Sequence, residues 1–175
     1  MLQYAEIVEA TQQMLMNNAI FTILDDLSIQ YKRIDHVPVY TSQQARELIP
    51  EQQAASVKNL FLKDKKGRQH FLVAIADHKS LDMKKLASQI GSTRLSLASP
   101  DRLQTYLGVE PGAVSLLALV NDPENQVQLL IDRDVWDEQF LQCHPLVNTA
   151  TLILAMDDVK RFLEGVGHSP KLVEI

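Results

Sequence analysis

The chain has a single cysteine, Cys143, which excludes an internal disulfide and any multi-cysteine metal site. No apolar run approaches the roughly 20 residues of a membrane-spanning helix. The N-terminus carries Glu6 and Glu9 and no basic region, so it does not read as a secretory signal. A cytoplasmic protein with no membrane partner is the expectation. Gly-rich phosphate loops, His-Glu-x-x-His, Gly-x-Ser-x-Gly and paired carboxylates on a strand end are all missing. The five histidines (36, 70, 78, 144, 168) lack metal-ligand spacing, which argues against a metal centre. Cys143 lies beside His144, but neighbours on a strand point to opposite faces, so a Cys/His nucleophile pair is not expected. A buried structural thiol is.

What is present is an ordinary globular composition, 46% hydrophobic and 22% charged over 175 residues. That length suits one domain with a sizeable core. The net charge of −5 argues against a general nucleic-acid binder, and no DNA partner is expected. The distribution differs from the total. Between Val57 and Arg94 stand nine Lys/Arg against three Asp. Such a segment is either solvated hairpin and helix surface or a local landing site for a polyanion, and composition leaves both open.

Taken in order, residues 1–19 read as an N-terminal helical extension, and helical spacing continues to about Leu27. Ile29–Ile34 reads as a strand. Pro38 keeps His36–Thr41 extended, and Thr41 or Ser42 can cap a helix that begins at Gln43 and ends before Pro50. Val57–Ala76 is a hairpin around Lys65-Lys66-Gly67-Arg68, its second strand buried on both faces. Ser80 or Asp82 caps a helix ending at Gly91, Arg94–Ala98 is a short strand, and Ser99-Pro100 opens a helix ending at Leu107-Gly108. Pro111-Gly112 fits a type II turn. Val114–Val120 and Val127–Ile131 read as hairpin strands, Asp132–Glu138 as a helical turn and Phe140–His144 as extended. Thr151–Ala155 is a further strand, after which Asp157 caps a last helix. The fold class is α+β, with a mixed, mostly antiparallel sheet of six to seven strands flanked by helices.

Two stretches could carry chemistry. In Val57–Asp64, Lys58 shares a strand face with Leu60 and Leu62, so its ammonium must snorkel to water or meet an anion. In His144–Thr151, an imidazole and three hydroxyl or amide side chains crowd eight residues, and Pro145 fixes the backbone. Thr41, Asn59, Gly112, Asn148 and Thr149 complete the loop-borne polar set. Each also has a structural explanation as cap or turn residue. The residues alone support a small-ligand or anion site.

These stretches carry a resemblance. Lys58–Gly67, Leu107-Gly108-Val109-x-Pro111-Gly112-Ala113-Val114, Asn121-Asp122 and His144-Pro145-Leu146-x-Asn148-Thr149-Ala150-Thr151 resemble the YbaK/ProX family, free-standing relatives of the prolyl-tRNA synthetase editing domain. The likeness runs from about Ile20 to Pro170. It implies the editing-domain fold, with a partly barrel-like sheet, and a metal-free, cofactor-free trans-editing hydrolase. Such an enzyme cleaves alanine from mischarged tRNA(Pro) with help from the terminal ribose hydroxyl. The resemblance implies that Lys58, Asn59, Gly112 and His144 are catalytic and that Thr41, Leu60, Ser115, Asn148 and Thr149 bind substrate. It further implies tRNA contacts from Lys63, Lys65, Lys66, Arg68 and Lys79. The aminoacyl-tRNA acceptor end is the expected partner, with prolyl-tRNA synthetase or an elongation factor as candidate protein partners.

Two departures bear on specificity. Glu51–Ser56 replaces the family's usual Gly- or His-containing loop, and Ser115-Leu116-Leu117 replaces a Thr-Pro-Phe pattern. Cysteine or serine as the removed residue, or a non-catalytic tRNA- or synthetase-binding module, are the alternative readings.

Overall fold

The computed structural model describes residues 19–39, 44, 47–48 and 53–175. Most of the expected N-terminal extension, and the Thr41 or Ser42 cap, lie outside the described residues. Among those described, eight strands form two sheets. Tyr31–Asp35 (β1), Phe140–Cys143 (β6) and Ala150–Ala155 (β7) make an antiparallel sheet in the order β1-β7-β6. Val57–Lys63 (β2), His70–Ala76 (β3), Ser96–Leu97 (β4), Val127–Asp132 (β5) and Lys171–Val173 (β8) make the second, in the order β4-β2-β3-β5-β8. β2 and β3 are the expected hairpin, in register from Val57 opposite Ala76 to Lys63 opposite His70. β3 pairs in parallel with β5 and is buried along all but its last residue. That is why its sequence is a continuous apolar run rather than an alternation.

The expected α+β architecture is present, with its strands divided between the two sheets. They meet at one parallel bridge, Ala55 to Leu141, where Ala55 N–H donates to Phe140 O (2.8 Å) and Gln142 N–H donates to Ala55 O (3.0 Å). β4 occupies the far half of the same β2 edge, so the bridge does not extend into a closed barrel.

The two faces of β2 serve two cores. Phe61 joins the larger one, with Leu72, Ala74, Leu129, Leu141, Cys143, Leu154 and Phe162. Leu62 joins the smaller one, with Phe71, Val73, Ile75, Leu86 and Val173. Period-2 alternation therefore sends Asn59 towards the first and Lys58 and Leu60 towards the second.

Helices pack where their caps predict. Asp82 accepts from the N–H groups of Lys84 and Lys85 at the start of Met83–Ile90, and Gly91 closes it with φ 69°. Ser99 caps Pro100–Leu107. Two readings change. The expected strand Val114–Val120 is instead a 3-10 helix, Leu116–Asn121, capped by the Ser115 hydroxyl accepting from Leu117 N–H. Its Leu-Leu-Ala-Leu run is buried all round, and such a short apolar run does not distinguish strand from helix. Asp157 is not a cap. The last helix, Met156–Gly165, starts two residues earlier with Ala155 in the capping position, and Asp157 favours its N-terminal dipole from the first turn.

Asn121 and Asp122 leave that 3-10 helix and aim β5. The Asn121 amide donates to Leu107 O (2.9 Å), and the buried Asp122 carboxylate accepts from Gln126 N–H (2.9 Å) and Val127 N–H (2.7 Å). His168 Nε2–H donates to Asp122 O (2.9 Å), tying in the end of the chain. Asp122→Ala leaves these buried donors unpaired and is expected to lower stability by about 2–3 kcal/mol. A shift of the urea midpoint with an unchanged slope would show it.

Candidate functional site

Lys58 is held. Its Nζ donates to the main-chain oxygens of Asp77 (3.1 Å) and Lys79, in the turn that follows β3. An ammonium has three N–H donors, and these two carbonyls leave one to turn outward. The lysine that sequence reasoning placed among apolar neighbours thus snorkels to a fixed point, while Leu60 on the same face packs against the smaller core. Asn59 faces the other way, and its Oδ1 is buried with no hydrogen-bond partner among the described atoms.

The turn that fixes Lys58 is itself fixed. The Lys79 ammonium meets Asp132 (2.8 Å), Asp134 (2.7 Å) and the main-chain oxygen of Ile175 (3.0 Å). Donating to Asp132, and then to Asp134, raises the Lys79 pKa, and the Asp132 carboxylate is buried. Lys79, expected to contact tRNA, is engaged in the fold by the buried Asp132 and the exposed Asp134.

A second cluster lies beyond the joint between the sheets. The Ala55–Leu141 bridge is parallel, and Lys58 and His144 each follow it by three residues along the chain. His144 Nδ1 lies 3.1 Å from Ala150 O. A carbonyl only accepts, so Nδ1 carries the proton and Nε2 presents a lone pair. Burial chiefly, opposed by the Ala150 bond and reinforced by His36, holds the His144 pKa below the ordinary histidine value. Leu146, buried in the larger core, adopts φ 63°, an unfavourable conformation for leucine that burial imposes on the loop. The Asn148 and Thr149 carbonyls accept from Val39 N–H (3.0 Å) and His36 N–H (2.9 Å), which ties the loop to the segment after β1.

Gly112 has φ 93° in a turn closed by Ala113 N–H donating to Glu110 O (3.0 Å), the type II geometry that Pro-Gly predicts. That bond does not use the Gly112 N–H. Gly112 and Ser115 stand on the connection whose apolar residues join the larger core, on the Asn59 face. Thr41 lies outside the described residues. Cys143 is buried, which pushes its thiol up to about 12 and removes it as a nucleophile, as the sequence suggested.

Sequence reasoning passed over His36. Its Nδ1 is 2.8 Å from Val37 O and its Nε2 3.0 Å from Thr151 Oγ1, and its ring meets that of His144 edge-on at 6.5 Å between centroids. Its position ahead of the stiff Val37-Pro38 step, itself close in sequence to Thr41, was the available signal.

The cations of the hairpin turn stand apart. Lys63 ends β2 and is half-buried; Lys65, Lys66 and Arg68 are exposed. Five residues of strand put Lys63 about 17 Å from Lys58. The buried Asp64 carboxylate shapes the turn by accepting from Arg68 N–H (2.7 Å) and Gln69 N–H (3.1 Å). The Gln69 bond foremost, against opposing desolvation, holds its pKa below the usual carboxylate value. Arg102 donates to Gly67 O (3.1 Å) and to His70 Nε2 (2.8 Å), which braces the turn from behind.

The sequence profile of the aminoacyl-tRNA editing domain matches residues 36–162, a span that holds Lys58, Asn59, Gly112 and His144. The chain belongs to the aminoacyl-tRNA editing domain family. Among relatives of this editing domain, the prolyl-tRNA editing protein ProX of Acetoanaerobium sticklandii is 40% identical over 157 residues, covering 90% of this chain and 96% of its own. The prolyl-tRNA synthetase associated domain-containing protein 1 of Danio rerio is 34% identical, over 86% of this chain and 82% of its own. A crystal structure assigned as a candidate trans-editing enzyme for prolyl tRNA synthetase shares the fold, with a TM-score of 0.65 at 16% identity, over 91% of this chain and 97% of that one.

Within this editing domain, Lys79→Ala would strand the buried Asp132 carboxylate. It is expected to cost about 2–3 kcal/mol, the lower side of a broken buried ion pair because Lys79 keeps some solvent contact. Lys65→Ala and Lys66→Ala, both exposed, should stay within about 0.5 kcal/mol of the parent in the same denaturation assay.

Proposed function

We propose that this editing-domain protein is a trans-acting deacylase that hydrolyses the ester joining alanine to tRNA(Pro). The observation that carries the reading is the Lys58 ammonium, immobilised by two main-chain carbonyls with a third N–H left for an anion. The 40% identity to a prolyl-tRNA editing protein supports the choice of tRNA.

An aminoacyl ester is already activated, so catalysis needs orientation and stabilisation of the tetrahedral oxyanion more than a strong nucleophile. In this reading Lys58 grips the phosphate or ribose of the terminal adenosine. The N–H at Gly112 donates to the developing oxyanion. The neutral Nε2 of His144 and the unpartnered Oδ1 of Asn59 position the attacking water, the α-ammonium or the ribose hydroxyl that assists it. Leu60, Ser115, Asn148, Thr149 and Thr41 are the residues we assign to substrate selection, which accepts a methyl side chain and excludes a pyrrolidine, so correctly charged Pro-tRNA(Pro) escapes. Lys63, Lys65, Lys66 and Arg68 lie along the path of the acceptor stem and supply sequence-independent phosphate contacts. Lys79 acts from behind, holding the carbonyl that holds Lys58. The aminoacyl-tRNA reaches the site from solution, from prolyl-tRNA synthetase or from an elongation factor.

Single-turnover assays on Ala-, Cys-, Ser- and Pro-tRNA(Pro) test this. Selective alanine release is expected, falling roughly 100-fold or more in Lys58→Ala, the loss typical of one transition-state donor. Release of cysteine or serine instead would reassign the substrate. Salt-sensitive tRNA binding without release from any of the four would make the protein a binding module.

A further inference from the structure

His36 and His144 approach β7 from different parts of the chain and engage adjacent residues of it. His144 Nδ1–H donates to Ala150 O, and His36 Nε2 lies 3.0 Å from the hydroxyl of Thr151, the next residue. Val37 O can only accept, so His36 Nδ1 carries a proton, while its Nε2 is hydrogen-bonded to the Thr151 hydroxyl, which can donate or accept. Both rings thus direct a protonated Nδ1 at a carbonyl and meet edge to face.

We propose that His36 is a positioning residue that keeps His144 neutral, with its Nε2 lone pair directed to the substrate. It acts through Thr151 and through direct contact between the rings. The role rests on the reading of His144 as a site residue of the deacylase. It goes beyond that reading because His36 touches neither Lys58 nor the Gly112 turn and would hold its partner without contacting the ester. The charged surroundings favour such a pair. Arg33 and Asp35 on β1 are tied to each other at 2.8 Å. β7, Ala150 to Ala155, and the loop Pro145–Thr149 contain no ionisable side chain. The adjoining titratable residues are Asp35 beside His36 and the buried Cys143 beside His144.

The test is imidazole nitrogen NMR on the full chain between pH 5 and 8, with kcat/KM profiles alongside. In the parent, both rings should show the Nδ1–H tautomer at pH 8. In His36→Ala the His144 midpoint should rise by about half a unit to one unit, because part of the burial of its ring is removed. Its deacylation at pH 6 should fall about threefold to tenfold relative to pH 8. His36→Gln can still accept from Thr151 and donate to Val37 O without titrating, and should restore the His144 tautomer and most of the pH 6 rate. Thr151→Val, nearly isosteric, should shift His144 the same way by less, and decides the matter if His36→Ala does not fold. Unchanged His144 tautomer and midpoint in these variants would overturn the proposal whatever the activity. Absence of deacylation by the parent would count against the proposed reaction, while the NMR shifts would still decide whether His36 positions His144.

Discussion

One ammonium group sets the arrangement of the site. Lys58 lies on a strand face that belongs to an apolar core, and its Nζ is held there by two carbonyl oxygens of the turn after β3. The turn holds its shape through the Lys79 ion pair with Asp132, and Asp132 ends β5, the strand beside β3. The hairpin, the parallel pair and the ion pair therefore act as one device. Each layer fixes the next, and the outermost product is a lysine N–H with a defined direction. Pre-organisation of this kind lets a single cation contribute to a transition state without reorganising at the moment of reaction.

The second organising constraint is the joint at Ala55 and Leu141. It ties the approach to β2 to β6, and a lysine and a histidine, 86 positions apart in sequence, each follow it by three residues. One bridge is a weak connection by itself. It is supported by the core beneath it, where Leu141, Cys143, Phe61 and Leu154 pack in a single cluster. The hairpin turn at the far end of β2 is braced separately, by Asp64 and by Arg102. Its cations can therefore meet a polyanion without disturbing Lys58.

Much of this was legible in the residues. The hairpin, its buried second strand, the Asp82 and Ser99 caps, and the Pro-Gly turn all follow from local chemistry, and each is in place. The resemblance singled out Lys58 and His144, and the structure supplies what holds them. Four features were not legible, each for a physical reason. The 3-10 helix Leu116–Asn121 is apolar on every side, so it shows no periodicity. β8 is three residues long and gains its identity only from pairing with β5. Lys79 resembles any other lysine of the basic segment until the fold brings Asp132 and Asp134 to it. His36 meets Thr151 across 115 positions, a distance that no local pattern encodes.

The most direct test of the account is calorimetric binding of a non-hydrolysable acceptor end, 3′-alanylamido-3′-deoxyadenosine, with and without a 5′-phosphate. Wild type and Lys58→Met would be compared under conditions where both are shown to be folded. The account predicts measurable binding to wild type and at least a tenfold weakening in Lys58→Met, about 1.4 kcal/mol. Equal affinity of the two proteins for both ligands would contradict it, because the held ammonium would then not be what the substrate meets.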